Sequence, residues 1–198
     1  MKIRIIKVWS LFAVAAFASL TISSCKNEAK PEDAKEVAEE QNEAKFEEDD
    51  NMEDDAAFLV AAAEYDLMEI EVGKLAIQRG TNSHVKEIGK MLVDHHTKSA
   101  DDTKMLAARL NVTLPGVLTE KGKDRFEDLN DEKSGADFDK KFADVVVNAH
   151  EETIKKMEKA SEKGTDPELR TWAADLLPTL RSHLEHAKKL ENQINANQ

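Results

Sequence analysis

The sequence predicts an all-α fold, an antiparallel bundle of four long helices around one core, and three observations carry the prediction. Apolar residues recur at intervals of three, four and seven through four stretches of the chain. The 198 residues hold only 7 Gly and 4 Pro, too few to turn the chain every 8–12 residues as a small β fold requires. Charged residues make up 34% and aromatic ones 5%, the composition of solvated amphipathic helices. The formal charge of −12 opposes a nucleic-acid backbone, so nucleic-acid binding is excluded as a function class. With one Cys, disulfide frameworks, Cys-x-x-Cys redox pairs and thiolate zinc sites fall away together, and any metal must be held by nitrogen and oxygen.

The first segment, residues 1–24, reads as a secretory signal. Lys2, Arg4 and Lys7 precede an apolar run from Val8 to Leu20, too short for a membrane span of about 20 residues. It ends at Ile22-Ser23-Ser24-Cys25, which resembles the lipobox of bacterial lipoproteins, so the chain is expected to be cut before Cys25 and lipidated there. Two or three acyl chains hold a protein on a membrane where one does not. The resemblance implies a place in the bacterial cell envelope with the membrane as a partner, and Lys26 after the cysteine favours the outer membrane. Residues 25–55 carry four Lys against fourteen acidic residues. Their only large apolar side chains are Val37, Phe46 and Met52, so they are expected to form a solvated, disordered tether.

The bundle is then expected over residues 56–198. In its first helix, running to about Arg79, Phe58, Ala62, Tyr65, Val72 and Ala76 share a stripe that Gly80-Thr81-Asn82-Ser83 ends. In the second, Val85, Ile88, Leu92, His95, Ser99 and Leu106 share one, and the helix stops near Asn111 before Leu114-Pro115-Gly116. In the third, after Gly135, the stripe is Phe138, Phe142, Val146, His150, Thr153 and Met157, with Gly164 as the stop. Asp166-Pro167 opens the fourth, an N-cap and a proline in the first turn, with the stripe Leu169, Ala173, Leu176, Leu180, His183, Ala187, Leu190 and Ile194. Pro178 inside it predicts a kink. Short polar links make helices one and two, and three and four, antiparallel hairpins. The link at 111–134, with room for a short helix at 119–129, is long enough to cross back along the bundle. That gives the ferritin-like up-down-down-up order, with an up-down-up-down bundle carrying a surface excursion as the alternative.

Polar residues inside the apolar stripes mark the candidate site. His95, His150 and His183 interrupt the stripes of helices two, three and four, and Glu69 lies on the seam of helix one. Counting residues along the helices places all four near mid-height. Converging nitrogen and oxygen donors in a low-dielectric core are costly unless they satisfy one another or hold a cation. One reading is therefore a divalent transition metal, zinc, copper, iron or nickel, on Glu69, His95, His150 and His183, with Glu71, Asp94 and Glu151 as supporting groups. The other is a metal-free hydrogen-bond network that fixes the register of the bundle. His96 and His186 are expected at exposed or boundary positions and His84 in solvent.

A di-iron oxidase is disfavoured, because Glu-x-x-His is required on two helices. Leu92, Val93, Val147 and Leu180 stand three residues before His95, His96, His150 and His183. No phosphate loop, nucleophile elbow or His-Glu-x-x-His helix is present, and no catalytic residue is assigned.

The chain resembles the bacterial envelope family known as domain of unknown function 4142. The resemblance rests on Glu69 to Ala76, Val93-Asp94-His95, Val112-Thr113-Leu114-Pro115, Phe138-Asp139, Val147 to His150, Asp166 to Leu169 and Leu177 to Leu184. It implies a ferritin-like fold and an exported protein, and its pattern includes Glu69, His95, His150 and His183. It implies no activity. The leading expectation is an envelope lipoprotein that binds a transition-metal ion in its core, for buffering or stress. The competing one is a structural or interaction module with an unidentified protein partner.

Overall fold

The computed structural model describes residues 32–196; the signal and Cys25 assignments lie outside them. Every regular element among the described residues is helical: α1 (Ala34–Phe46), α2 (Asp50–Arg79), α3 (Ser83–Arg109), α4 (Glu120–Asn130), α5 (Ala136–Lys163) and α6 (Pro167–Ala196). The four long helices are those read from periodicity. Helix α4 is the short helix expected in the long link, and Thr119 caps it by accepting from Gly122 N–H. Helices α2 and α3 pack closely as one hairpin, α5 and α6 as another.

Two buried aspartates join the hairpins at opposite ends. Asp55, near the start of α2, accepts from the N–H groups of Thr165 and Asp166 in the α5–α6 turn, at 2.8 and 2.7 Å. Asp139, near the start of α5, accepts from the N–H groups of Thr81 and Asn82 in the α2–α3 turn, at 3.0 and 2.8 Å. The start of α5 therefore lies beside the end of α2, and the start of α2 beside the end of α5. Helices α3 and α5 run one way, α2 and α6 the other.

The reciprocity has a source in the sequence. Asp55, Phe58, Ala76, Gly80, Thr81 and Asn82 recur with identical spacing as Asp139, Phe142, Ala160, Gly164, Thr165 and Asp166. Both glycines end a helix by donating N–H to the alanine four residues back. Neither adopts the left-handed conformation expected of a terminal glycine; space is what selects them. A Cβ on Gly80 would lie 2.6 Å from Val85 Cγ1, and one on Gly164 2.4 Å from Leu169 Cδ2. The chain is thus a tandem pair of helical hairpins, each clamping the turn of the other.

One expectation is corrected. Residues 34–46 of the anticipated tether form α1, which packs on α2. Composition concealed it because its one large apolar anchor, Phe46, packs against the core at its last residue and polar groups hold the rest in place. Ala38 is buried, and the buried Asn42 amide takes both backbone groups of Thr113, accepting from its N–H at 2.7 Å and donating to its carbonyl at 2.9 Å. Asp33 caps α1 and also accepts from Glu120 N–H at the start of α4. Pro178 does not interrupt α6.

Helices α2 and α3 approach most closely where glycines face each other. A Cβ on Gly73 would sit 2.7 Å from the Gly89 carbonyl oxygen, a backbone atom that cannot rotate away. Gly73→Ala is expected to destabilise the protein by about 1–3 kcal/mol, measured by urea denaturation. An unchanged midpoint would show that the hairpin spreads without cost.

Candidate metal centre

All four long helices deliver polar side chains to one level of the core. From α2 come Tyr65, Asp66 and Glu69, one helical turn deep; from α3 His96, Ser99 and Thr103; from α5 His150; from α6 His183. Glu69 and His150 are fully buried, and His96 and His183 nearly so. Tyr65 presents its ring edge-on to His96 and His150, with centroids 5.1 and 5.4 Å apart.

Hydrogen bonds fix the tautomers. His96 Nδ1–H donates to Asp66 Oδ1 at 2.8 Å, and Ser99 Oγ–H donates to the other carboxylate oxygen at 3.0 Å. The Nε2 atom of His96 is left buried with no hydrogen-bond partner. His150 Nδ1–H donates to the Val146 carbonyl at 2.9 Å, so its Nε2 carries a lone pair. That lone pair faces His183 Nδ1 at 3.2 Å, and His183 Nε2 faces His95 Nδ1 at 2.7 Å. In the metal-free protein, His95 Nδ1–H donates to His183 and His183 Nδ1–H to His150.

Burial keeps the His150 and His183 imidazoles neutral. It holds His150 well below the ordinary histidine value, with the neighbouring His96 and His183 adding to the effect. His183 is lowered to about 3, first by burial and then by His96, His95 and His186. Burial also pushes Glu69 up to about 7, and raises Asp66 against the hydrogen bonds from His96, Ser99 and Thr103. The Tyr65 hydroxyl is raised well above its usual value by burial and by the Glu69 and Asp66 carboxylates.

One ring nitrogen each from His96, His150 and His183 lies within 4.8 Å of the other two. Three nitrogens on one tetrahedral ion stand roughly 3.3 Å apart, given metal–nitrogen bonds of about 2.0–2.1 Å. The His150–His183 pair is already at that spacing, at 3.2 Å. The oxygen partners of His96 and His150 are the kind that hold a metal-binding imidazole in one tautomer. Beside them, the Tyr65 hydroxyl and the Glu69 carboxylate lie close enough to interact but form no well-aligned hydrogen bond. Buried polar atoms without a well-formed bond are uncommon in folded proteins and call for an explanation.

The site differs from the sequence expectation in three respects. His96 takes the inward place expected of His95, which is exposed. Both lie within one turn of Leu92, at i+3 and i+4, and the partner on α2 decides between them. Asp66, with Ser99 and Thr103 in line with His96, was the available signal. Glu69 is buried as expected, but lies against the Nδ1 edge of His150 at 3.7 Å, outside the group of three nitrogens. The supporting groups point elsewhere: Glu71 pairs with Lys74 at 2.7 Å, Glu151 with Lys188 at 2.6 Å, and Asp94 is exposed. His84 and His186 are exposed.

The shifts fix the sign of a pH dependence in metal-free protein. His150 and His183 fold with pKa values below their ordinary 6.5, so they contribute stability that is lost as pH falls through that value. Glu69 folds at about 7 against an ordinary 4.5, so its contribution is lost as pH rises between the two. Two histidines outweigh one carboxyl. The urea midpoint of EDTA-treated protein is expected to rise between about pH 5 and pH 6.5, and more steeply in Glu69→Gln. Equal slopes in the two proteins would show that Glu69 folds with an ordinary carboxyl.

Comparison with curated proteins and with solved structures finds no match. A family model, described as a domain of unknown function (DUF4142), matches residues 35–190, from the first turn of α1 into the last turns of α6. The match takes in each of the three clustered histidines together with Asp66 and Glu69, and the chain belongs to the domain of unknown function 4142 family.

Proposed function

We propose that this protein is a ferritin-like envelope lipoprotein that binds one divalent transition-metal ion on His96, His150 and His183, for metal buffering or a stress role. The observation that carries the reading is the convergence of three buried imidazoles, with one ring nitrogen of each within 4.8 Å of the others. Imidazole donors suit zinc, copper, iron or nickel. Asp66 orients His96, and the Glu69 carboxylate against His150 offsets the charge of the ion. Binding reverses the His183 tautomer: Nδ1 turns its lone pair to the ion and Nε2–H donates to His95. The shared direction of α3 and α5, joined by the α4 crossover, supports the ferritin-like order. The lipobox at Cys25 supports a lipid anchor, and Lys26 after it supports the outer membrane.

The second reading, an interaction module with a metal-free network, is favoured by the unbroken chain from His95 through His183 and His150 to the Val146 carbonyl. Elemental analysis separates the two. Full-length protein in detergent, loaded with each metal and desalted, is expected to keep one equivalent of an ion. His96→Ala and His183→Ala should lose it, and His95→Ala should keep it. Folded wild type that keeps no metal leaves the network reading standing.

The anchor is tested independently. Cys25→Ala is expected to abolish labelling by a palmitate analogue and to move the protein from the membrane to the soluble fraction. Continued labelling would refute lipidation at Cys25.

A further inference from the structure

The polar core is bordered by two cavities that differ in size and in charge. The larger, about 1040 Å³, is a groove between α3 and α6 that runs from the Arg109–Glu168 ion pair at one end to His95 and His183 at the other. The smaller, about 30 Å³, lies beside Tyr65 between α2, α4 and α5 and has room for about one water. With Arg109 and Glu168 paired, the groove keeps Asp102 and Asp175 against Lys98, and none of these three forms an ion pair. The smaller cavity carries the opposite balance, Lys121, Arg125 and Lys156 against Glu64 and Glu152. A hydrated cation fits the first and is drawn to it; it does not fit the second and is repelled there.

His95 stands where the groove meets the imidazoles. It is exposed, and its Nδ1–H is committed to His183 Nε2 at 2.7 Å. Its other nitrogen, Nε2, therefore carries a lone pair, and no protein group donates to it. From His95 the chain of imidazoles continues through His183 to His150, two of the three residues that converge in the core. An exposed nitrogen donor thus sits at the acidic entrance and is linked side chain by side chain to the buried ones.

We infer that the α3–α6 groove is the route by which a divalent transition-metal ion enters and leaves the core, and that His95 Nε2 is its first ligand. The inference rests on the metal reading above and adds to it the path. Filling the core then resets His95. His183 releases its Nδ1 proton to solvent and takes the Nδ1 proton of His95 on its own Nε2, and His95 takes a proton from solvent on Nε2. The outer lone pair is withdrawn once the inner site is occupied, so His95 captures an ion only for an empty core.

A route shows itself in rates. Full-length protein in detergent is stripped with EDTA, desalted and mixed with zinc; uptake is followed as loss of signal from a low-affinity fluorescent zinc indicator, release after adding excess EDTA, and final zinc content is measured for every variant. Thr179→Phe narrows the groove one turn before His183. It should slow uptake and release alike, by roughly fivefold or more, and leave the affinity unchanged. The double variant Asp102→Asn/Asp175→Asn should slow uptake by a similar factor at about 10 mM salt and match wild type at about 500 mM, where charges are screened. His95→Leu, which keeps bulk but has no lone pair, should slow uptake, and Lys121→Glu beside Tyr65 should change nothing. Wild-type rates in Thr179→Phe or in the double variant, faster uptake in His95→Leu, or faster uptake in Lys121→Glu overturn this inference and leave the metal reading intact. Folded wild type that retains no zinc overturns both.

Discussion

The structure depends on two buried carboxylates that the site never touches. Asp55 and Asp139 each accept two backbone N–H groups from the turn of the opposite hairpin. Charge-assisted bonds to backbone donors are among the stronger hydrogen bonds, and these fix position along the helix axis, which apolar packing alone leaves soft. A slip of α5 by one turn would move His150 by about 5.4 Å, enough to break its bond to His183. Axial register is the condition for everything in the core.

That register is spent on a cluster that opposes folding. Glu69, Asp66, Tyr65 and three histidines occupy volume that leucines would fill at lower cost, since each must be desolvated. The cost is partly met where His96, Ser99 and Thr103 surround Asp66, and left unmet at the Glu69 oxygens, the Tyr65 hydroxyl and His96 Nε2. A network serving only register would be expected to close on itself. This one closes along His95, His183 and His150 and stays open on the side of α2, a division that an ion with its balancing carboxylate would resolve.

Periodicity made most of this legible and failed where two positions competed. On α5 every residue of the expected stripe, Phe138 through Met157, is buried. On α6 Leu177 replaces Leu176 as the fully inward residue, and on α3 His96 replaces His95. In both cases adjacent residues flank the centre of the stripe and packing with a neighbour chooses. The neighbour of His96 is Asp66, a charge that hydrophobic patterning treats as surface. Helix α1 was illegible for a related reason: Asn42 and Asp33 dock it through backbone groups, and backbone groups leave no mark in composition. The tandem repeat was written in the sequence all along, in small residues and turn residues that a search for apolar stripes does not weigh.

The repeat also explains why the site is one-sided. At equal distances from the two clamp aspartates stand Asp66 on α2 and His150 on α5; at equal distances from the two turn glycines stand Ser99 on α3 and His183 on α6. Each pair touches: Ser99 donates to Asp66 at 3.0 Å, and His183 to His150 at 3.2 Å. Equivalent positions thus make equivalent contacts with opposite chemistry, a carboxylate and hydroxyl in the first hairpin, two imidazoles in the second. Had both hairpins carried the same residues, the core would hold four imidazoles or two carboxylates, each set repelling itself once charged. The divergence instead sets an acidic wall on α2 against a basic one on α5 and α6. His96, on α3, faces both: one nitrogen is held by Asp66 and the other has no hydrogen-bond partner beside the imidazoles of the second hairpin.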